Sequence, residues 1–151
     1  MLFRSWLVVP DSLVPVFEKL AQNLFICAPT IAQHAALACF RPEALAIFEA
    51  RRQEFQRRRD YLVPALRALG FGVPVMPDGA FYVYADVTGL DHPLRGDSAA
   101  LSMALLNDAH VAIVPGDDFG VAAPSRHVRF SYATKYDRIE EAVARLARQL
   151  G

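Results

Sequence analysis

The stretch His127-Val128-Arg129-Phe130-Ser131-Tyr132-Ala133-Thr134 sets a guanidinium in the middle of an otherwise apolar, strand-like run. Extended chain sends alternate side chains to opposite faces, so Val128, Phe130 and Tyr132 share one face and His127, Arg129 and Ser131 the other. A mid-strand arginine costs desolvation unless it is solvated, paired or turned toward a cleft. Toward a cleft, its planar fork can give a carboxylate two parallel charge-assisted hydrogen bonds that fix orientation. The spacing alone leaves the plainer alternative open, a solvated or ion-paired sheet residue.

Other reactive side chains carry weaker signals. Asp117 and Asp118 are adjacent in Pro-Gly-Asp-Asp-Phe-Gly, and neighbouring residues diverge, which suits a polar turn better than paired acid–base work. Cys27, His34 and Cys39 match no zinc spacing and read as buried, apolar-like cysteines beside a helical histidine. His92 and His110 fall in loop-like contexts and read as surface residues. Ser131 lacks the Gly-x-Ser-x-Gly elbow of a hydrolase nucleophile. Gly70-Phe71-Gly72 lacks the later glycine and the helix start of a phosphate loop.

The elements that must position Arg129 follow from periodicity. Ser5–Pro10 reads as a short strand. Asp11 is an N-cap candidate for a helix carrying Leu13, Phe17, Leu20 and Leu24, and Thr30 for a second helix over 31–40. A long helix from Pro42 to Leu69 places Leu45, Phe48, Phe55, Leu62, Leu66 and Leu69 on one stripe, with a kink expected at Pro64 and Gly70 as its stop. Beyond it the period shortens. Residues 71–77 and 79–87 read as strands around the turn Pro77-Asp78-Gly79, with Gly79, Phe81, Val83 and Val87 on one face and Tyr82 and Tyr84 on the other. Asp97-Ser98 should cap a helix to about Asp108, 111–115 and 127–134 are further strands, and Asp137 with Glu140 forms a capping-box pattern opening the last helix. The order ββαββα after a long helix describes an α/β domain with helices on one side of a mostly antiparallel sheet.

Composition narrows the partners. With 151 residues, 54% hydrophobic and 21% charged, the chain has the makings of a core and not of a disordered segment. Sixteen basic residues balance sixteen acidic ones, which argues against a nucleic-acid or polybasic membrane partner. Apolar runs broken by Pro10, Pro15 and Pro29 are too short to span a bilayer, and the first ten residues make a poor signal peptide. Two cysteines define no disulfide scaffold, so the expected setting is the cytoplasm.

Six stretches taken together resemble the C-terminal part of class I/II aminotransferases, of pyridoxal-phosphate fold type I, closest to the aspartate and broad-specificity branch. They are WLVVP (6–10), QNLFICAPTIAQHAAL (22–37), RRRDYLVPALRALGF (57–71), PDGAFYVYADVT (77–88), VAIVPGDDFG (111–120) and HVRFSYA (127–133). The resemblance implies a remnant of the large-domain edge over 1–41 and the C-terminal small domain over 42–151. It implies amino-group transfer between an amino acid and a 2-oxo acid, with pyridoxal phosphate as cofactor. Arg129 then corresponds to the arginine that clamps the substrate α-carboxylate. Gly79, Ala80 and Phe81 correspond to the small-domain strand that closes over substrate, Asn23–Thr30 to a stretch near a dimer interface, and Pro42–Leu69 to the interdomain connector.

The departures are equally specific. The family's Schiff-base lysine precedes the stretch matched by WLVVP, whereas lysine occurs here only at 19 and 135, and neither position matches. The phosphate-binding arginine would fall at Phe3, one residue from Arg4. The expectation is a truncated family member without a catalytic lysine, inactive alone, with a homo-oligomeric or self-associating apolar edge. The alternatives are a non-catalytic carboxylate-binding module and a piece that pairs with a full-length subunit through Asn23–Phe40.

Overall fold

The computed structural model describes residues 7–119 and 121–151. The positions Phe3 and Arg4, and the start of the strand expected over Ser5–Pro10, lie outside them. The elements are α1 (Val14–Leu24), α2 (Thr30–Cys39), α3 (Pro42–Ala68), β1 (Tyr82–Asp86), α4 (Ser98–Ala109), β2 (Val114–Pro115), β3 (His127–Ser131) and α5 (Tyr136–Leu150). The chain divides into two compact units, Met1–Ala50 and Arg51–Gly151, with α3 beginning in the first and ending in the second.

In the first unit Leu7–Pro10 forms no strand, and Asp11 is spent in a short 3-10 turn ahead of α1. Thr30 is the first residue of α2 and not its cap. Pro29, extended at ψ 133°, holds the boundary, and its carbonyl accepts from Gln33 N at 3.1 Å. No described residue of this unit is buried. Leu20 is 50% exposed, Leu37 69% and Leu24 77%. Cys27 and Cys39 are exposed as well, which corrects the buried reading: α1 and α2 have no interior in which to place them.

The second unit has one. Leu62, Val63 and Leu66 of α3 join Leu101 and Leu105 of α4, Ile139 and Leu146 of α5, and Val83, Ala85, Val128 and Phe130 of the sheet in a single cluster. All three helices therefore cover one face of the sheet. Strand order is β1-β3-β2, antiparallel throughout, with Tyr84 opposite Arg129 on one side and Val114 opposite Arg129 on the other. β3 is thus the central strand. Gly70, at φ +92°, ends the run after α3, where a side chain would be strained.

Three expectations change. The strand over 71–77 reduces to one bridge, Gly72 with Asp86, closed by two N–H···O bonds of 2.8 Å. Pro74 and Pro77 carry no amide to extend it, and the Val73 carbonyl already accepts from Arg67 Nε and Nη2 at 2.9 and 2.7 Å. The strand over 79–87 begins only at Tyr82, because Ala80 sits at φ +64° and breaks the extended run. The strand over 111–115 keeps only Val114–Pro115. His110 ends α4 in the left-handed region, and the Val111 amide is taken by the Leu105 carbonyl at 3.1 Å, so the chain enters the sheet late.

Helix α4 is capped as expected, with Asp97 Oδ1 accepting from Ala100 N at 2.9 Å. The capping box of α5 is not formed. The helix starts at Tyr136, which leaves Asp137 inside the first turn, where its carboxylate accepts from Arg138 N at 2.9 Å.

Candidate functional site

Arg129 occupies the middle of the middle strand, on the face away from the helices. Its strand neighbours Val128 and Phe130 are 0% and 5% exposed in the core, and the alternation sends the guanidinium the other way. On that face stand Tyr82 and Tyr84 from β1 and Phe119 from the turn after β2, each exposed. Arg129 Cζ lies 4.5 Å from the Phe119 ring centroid and 5.5 Å from that of Tyr82. Tyr84 meets Phe119 edge-on at 6.2 Å and stacks flat on His127 at 4.8 Å. The surface around the guanidinium is a floor of rings.

Among the described residues the charge has no counter-ion. Arg129 forms no ion pair or hydrogen bond among the described residues, and its Nε is buried without any acceptor. The ion-paired alternative left open by spacing is therefore not realised. A buried N–H donor left unpaired costs about 1–3 kcal/mol, more for a charged group. A planar carboxylate reaching the Nε–H and one Nη–H would satisfy it.

Gly79 and Phe81 sit just ahead of β1, and the core residue Tyr132, immediately after β3, holds them. Tyr132 N donates to the Phe81 carbonyl at 2.8 Å, and its phenol reaches the Gly79 and Ala80 carbonyls, each at 3.3 Å. Arg59 Nη1 donates to the Pro77 carbonyl at 2.8 Å, tying the same turn to α3. The Phe81 ring is 46% exposed and meets Tyr82 edge-on at 5.5 Å. Phe81 and Arg129 are thus linked through the Tyr82 ring. Gly79 makes only main-chain contacts here, and a Cβ at this position would meet nothing within 4 Å.

One further cluster frames the far end of β1. Asp86 accepts from Thr88 N at 2.7 Å and from Arg126 Nη2 at 3.1 Å, with His127 Nε2 3.9 Å away. Burial alone would raise its carboxyl pKa, but the Thr88 hydrogen bonds and the nearby Arg126 and His127 charges outweigh it and hold the group below its ordinary value. Asp117 and Asp118 are exposed in a 3-10 turn.

Residues 5–146 match the family model described as aminotransferase class I and II. The chain belongs to that family. Among curated aminotransferases, the valine–pyruvate enzyme of Mycobacterium tuberculosis is 39% identical over 142 residues, covering 94% of this chain and 36% of that protein. The aspartate/prephenate aminotransferase of Thermus thermophilus is 39% identical over 144 residues, covering 94% and 35%. A crystal structure of an aminotransferase from M. tuberculosis superposes with a TM-score of 0.79 at 40% identity, covering 96% of this chain and 36% of that one. The chain therefore spans little more than a third of the aminotransferases it matches.

The family depends on pyridoxal phosphate and acts on amino acids and 2-oxo acids. The residues present here do not fit the whole of that cofactor. Covalent capture needs a lysine amine, and the two lysines stand on α1 and, exposed, immediately before α5. The ring-floored face of the sheet carries Arg129 and no lysine. What this chain does present is a guanidinium that is unpaired among the described residues and of the right shape for a carboxylate.

Tyr82 and Phe119 were not legible as site residues. Tyr82 falls on the correct face by alternation alone, but Phe119 is hidden in a turn whose acids draw attention first. An apolar ring in an otherwise polar Gly-Asp-Asp segment was the available signal.

Proposed function

We propose that this chain supplies the carboxylate-binding part of a pyridoxal-phosphate-dependent aminotransferase, with Arg129 as the clamp for the α-carboxylate of an amino acid or 2-oxo acid. The observation that carries the reading is the buried Arg129 Nε without an acceptor. Arg129 is fixed by the central strand, so a bidentate carboxylate is held with one orientation relative to the sheet. By the resemblance, Phe81 and the Gly79 main chain would line the substrate; Phe81 approaches the Arg129 face through its edge-on contact with Tyr82. Residues 42–151 correspond to the small domain and 1–41 to the edge of the large one. The protein is read as cytoplasmic and self-associating through apolar surface, with neither nucleic acid nor membrane as partner; no described helix is long and apolar enough to cross a bilayer. The two alternatives drawn from sequence, a non-catalytic module and an accessory piece, find no support among the relatives.

A single charge-assisted contact of about 1.5–3 kcal/mol falls short of the roughly 4 kcal/mol of a millimolar complex. Binding by this chain alone is therefore weak, and NMR is the suitable measurement. Titration with pyruvate should shift the Arg129 Nε–Hε resonance saturably in the range of tens of millimolar, and Arg129→Leu should abolish the response. A resonance that does not move, or moves equally with chloride, overturns the reading. With pyridoxal phosphate and borohydride, the chain should give no stoichiometric adduct at Lys19 or Lys135 by mass spectrometry.

A further inference from the structure

We infer that Phe119 is a positioning residue for Arg129: its ring holds the guanidinium in register for a carboxylate while no anion is present. The inference rests on the clamp reading for its purpose, but its physical basis is separate. A guanidinium whose Nε is buried and unpaired has no hydrogen bond to fix its last torsions. Left to itself, such a side chain would swing its fork into water to recover hydration. Two rings oppose that motion. Phe119 is the nearer, with Cζ 4.5 Å from its centroid against 5.5 Å for Tyr82, and the cation–π attraction holds within about 6 Å.

Phe119 is itself braced. It meets Tyr84 edge-on, and the turn that carries it starts at Gly116, where a Cβ would collide with the Pro124 and His127 carbonyls and the Tyr84 hydroxyl. The Phe119 amide donates to the Gly116 carbonyl at 2.9 Å. The ring therefore reaches Arg129 from a turn whose first residue is tightly packed. A ring against the guanidinium does not compete for the N–H edges, where the carboxylate bonds form.

The experiment compares the 151-residue chain with Phe119→Leu, which keeps apolar bulk but removes the ring, and with Phe119→Tyr, which restores a ring. The first readout needs no ligand: the heteronuclear NOE of Arg129 Nε. It should be near backbone values in the wild type and in Phe119→Tyr, and should collapse in Phe119→Leu while backbone NOEs of β3 stay unchanged. The second is pyruvate titration, in which Phe119→Leu should weaken binding roughly three- to tenfold and Phe119→Tyr should not. An Arg129 Nε equally ordered in wild type and Phe119→Leu overturns the inference. If the wild type shows an ordered Nε that loosens on loss of the ring, yet pyruvate never shifts it, the positioning role stands and the clamp reading falls. If Phe119→Leu does not fold, Phe119→Ile replaces it under the same criteria, and spectral loss in both while Phe119→Tyr folds marks the ring as structural and overturns the inference.

Discussion

Residues 7–50 and residues 51–151 come from the same apolar-rich chain, yet only the second stretch buries anything. The first carries Val14, Val16, Phe17, Leu20, Leu24, Ile31 and Leu37, all exposed, on helices of 11 and 10 residues. Helices of that length are marginal in water without a packed face. The second places eighteen hydrophobic side chains in one cluster shared by three helices and a sheet. Hydrophobicity along a sequence therefore reports an interface to be covered, and the fold decides whether the covering surface lies within the same chain.

The sharpest way to break this comparison is a matched pair of truncations. Leu66→Ala, at a side chain 0% exposed, should cost about 2–5 kcal/mol, whereas Leu20→Ala, at 50% exposed, should stay within about 0.5 kcal/mol. Urea denaturation reads both, and equal losses would show a buried environment for Leu20. Next in size is a pair of glycines inside the ordered part. Gly116→Ala drives a Cβ into the Pro124 carbonyl and should cost about 1–3 kcal/mol, while Gly79→Ala meets open space and should be far milder. Thermal melts distinguish them.

Tyr132→Phe removes a phenol shared between the Gly79 and Ala80 carbonyls at 3.3 Å each and should cost about 0.5–1.5 kcal/mol. It should also loosen amide exchange at Phe81 without touching α1 or α2. The smallest expected effect is electrostatic. Asp86 has its folded pKa below the ordinary 3.8, so its contribution is full above that value and is lost as pH falls through the lowered one. Asp86→Asn should flatten that part of the acid limb of a stability–pH curve. An unchanged limb would mean that Thr88, Arg126 and His127 do not stabilise the carboxylate.

Much of this was written in local pattern. The alternation through Val128, Arg129 and Phe130 assigned the faces of β3 correctly, and Asp97 named the cap of α4. Positions where the backbone serves two elements were not legible. Val111 looks like a strand residue, but its amide closes α4, and Val73 looks like one, but its carbonyl is claimed by Arg67. Thr30 and Asp137 are good caps by type, but they are the first and second residues of helices whose cap positions are Pro29 and Lys135. The site divided the same way. Arg129 announced itself as a charge where none was expected, while Phe119 reaches it through tertiary structure that no spacing encodes.

The proline-bearing segment 73–77 leaves a lasting mark on the molecule. Beyond the single rung at Gly72, the outer border of β1 has no ladder to continue, and Arg67 plugs the next carbonyl along. A foreign strand seeking to dock there finds missing donors and an occupied acceptor, so fibril-like growth by edge templating is blocked at this margin.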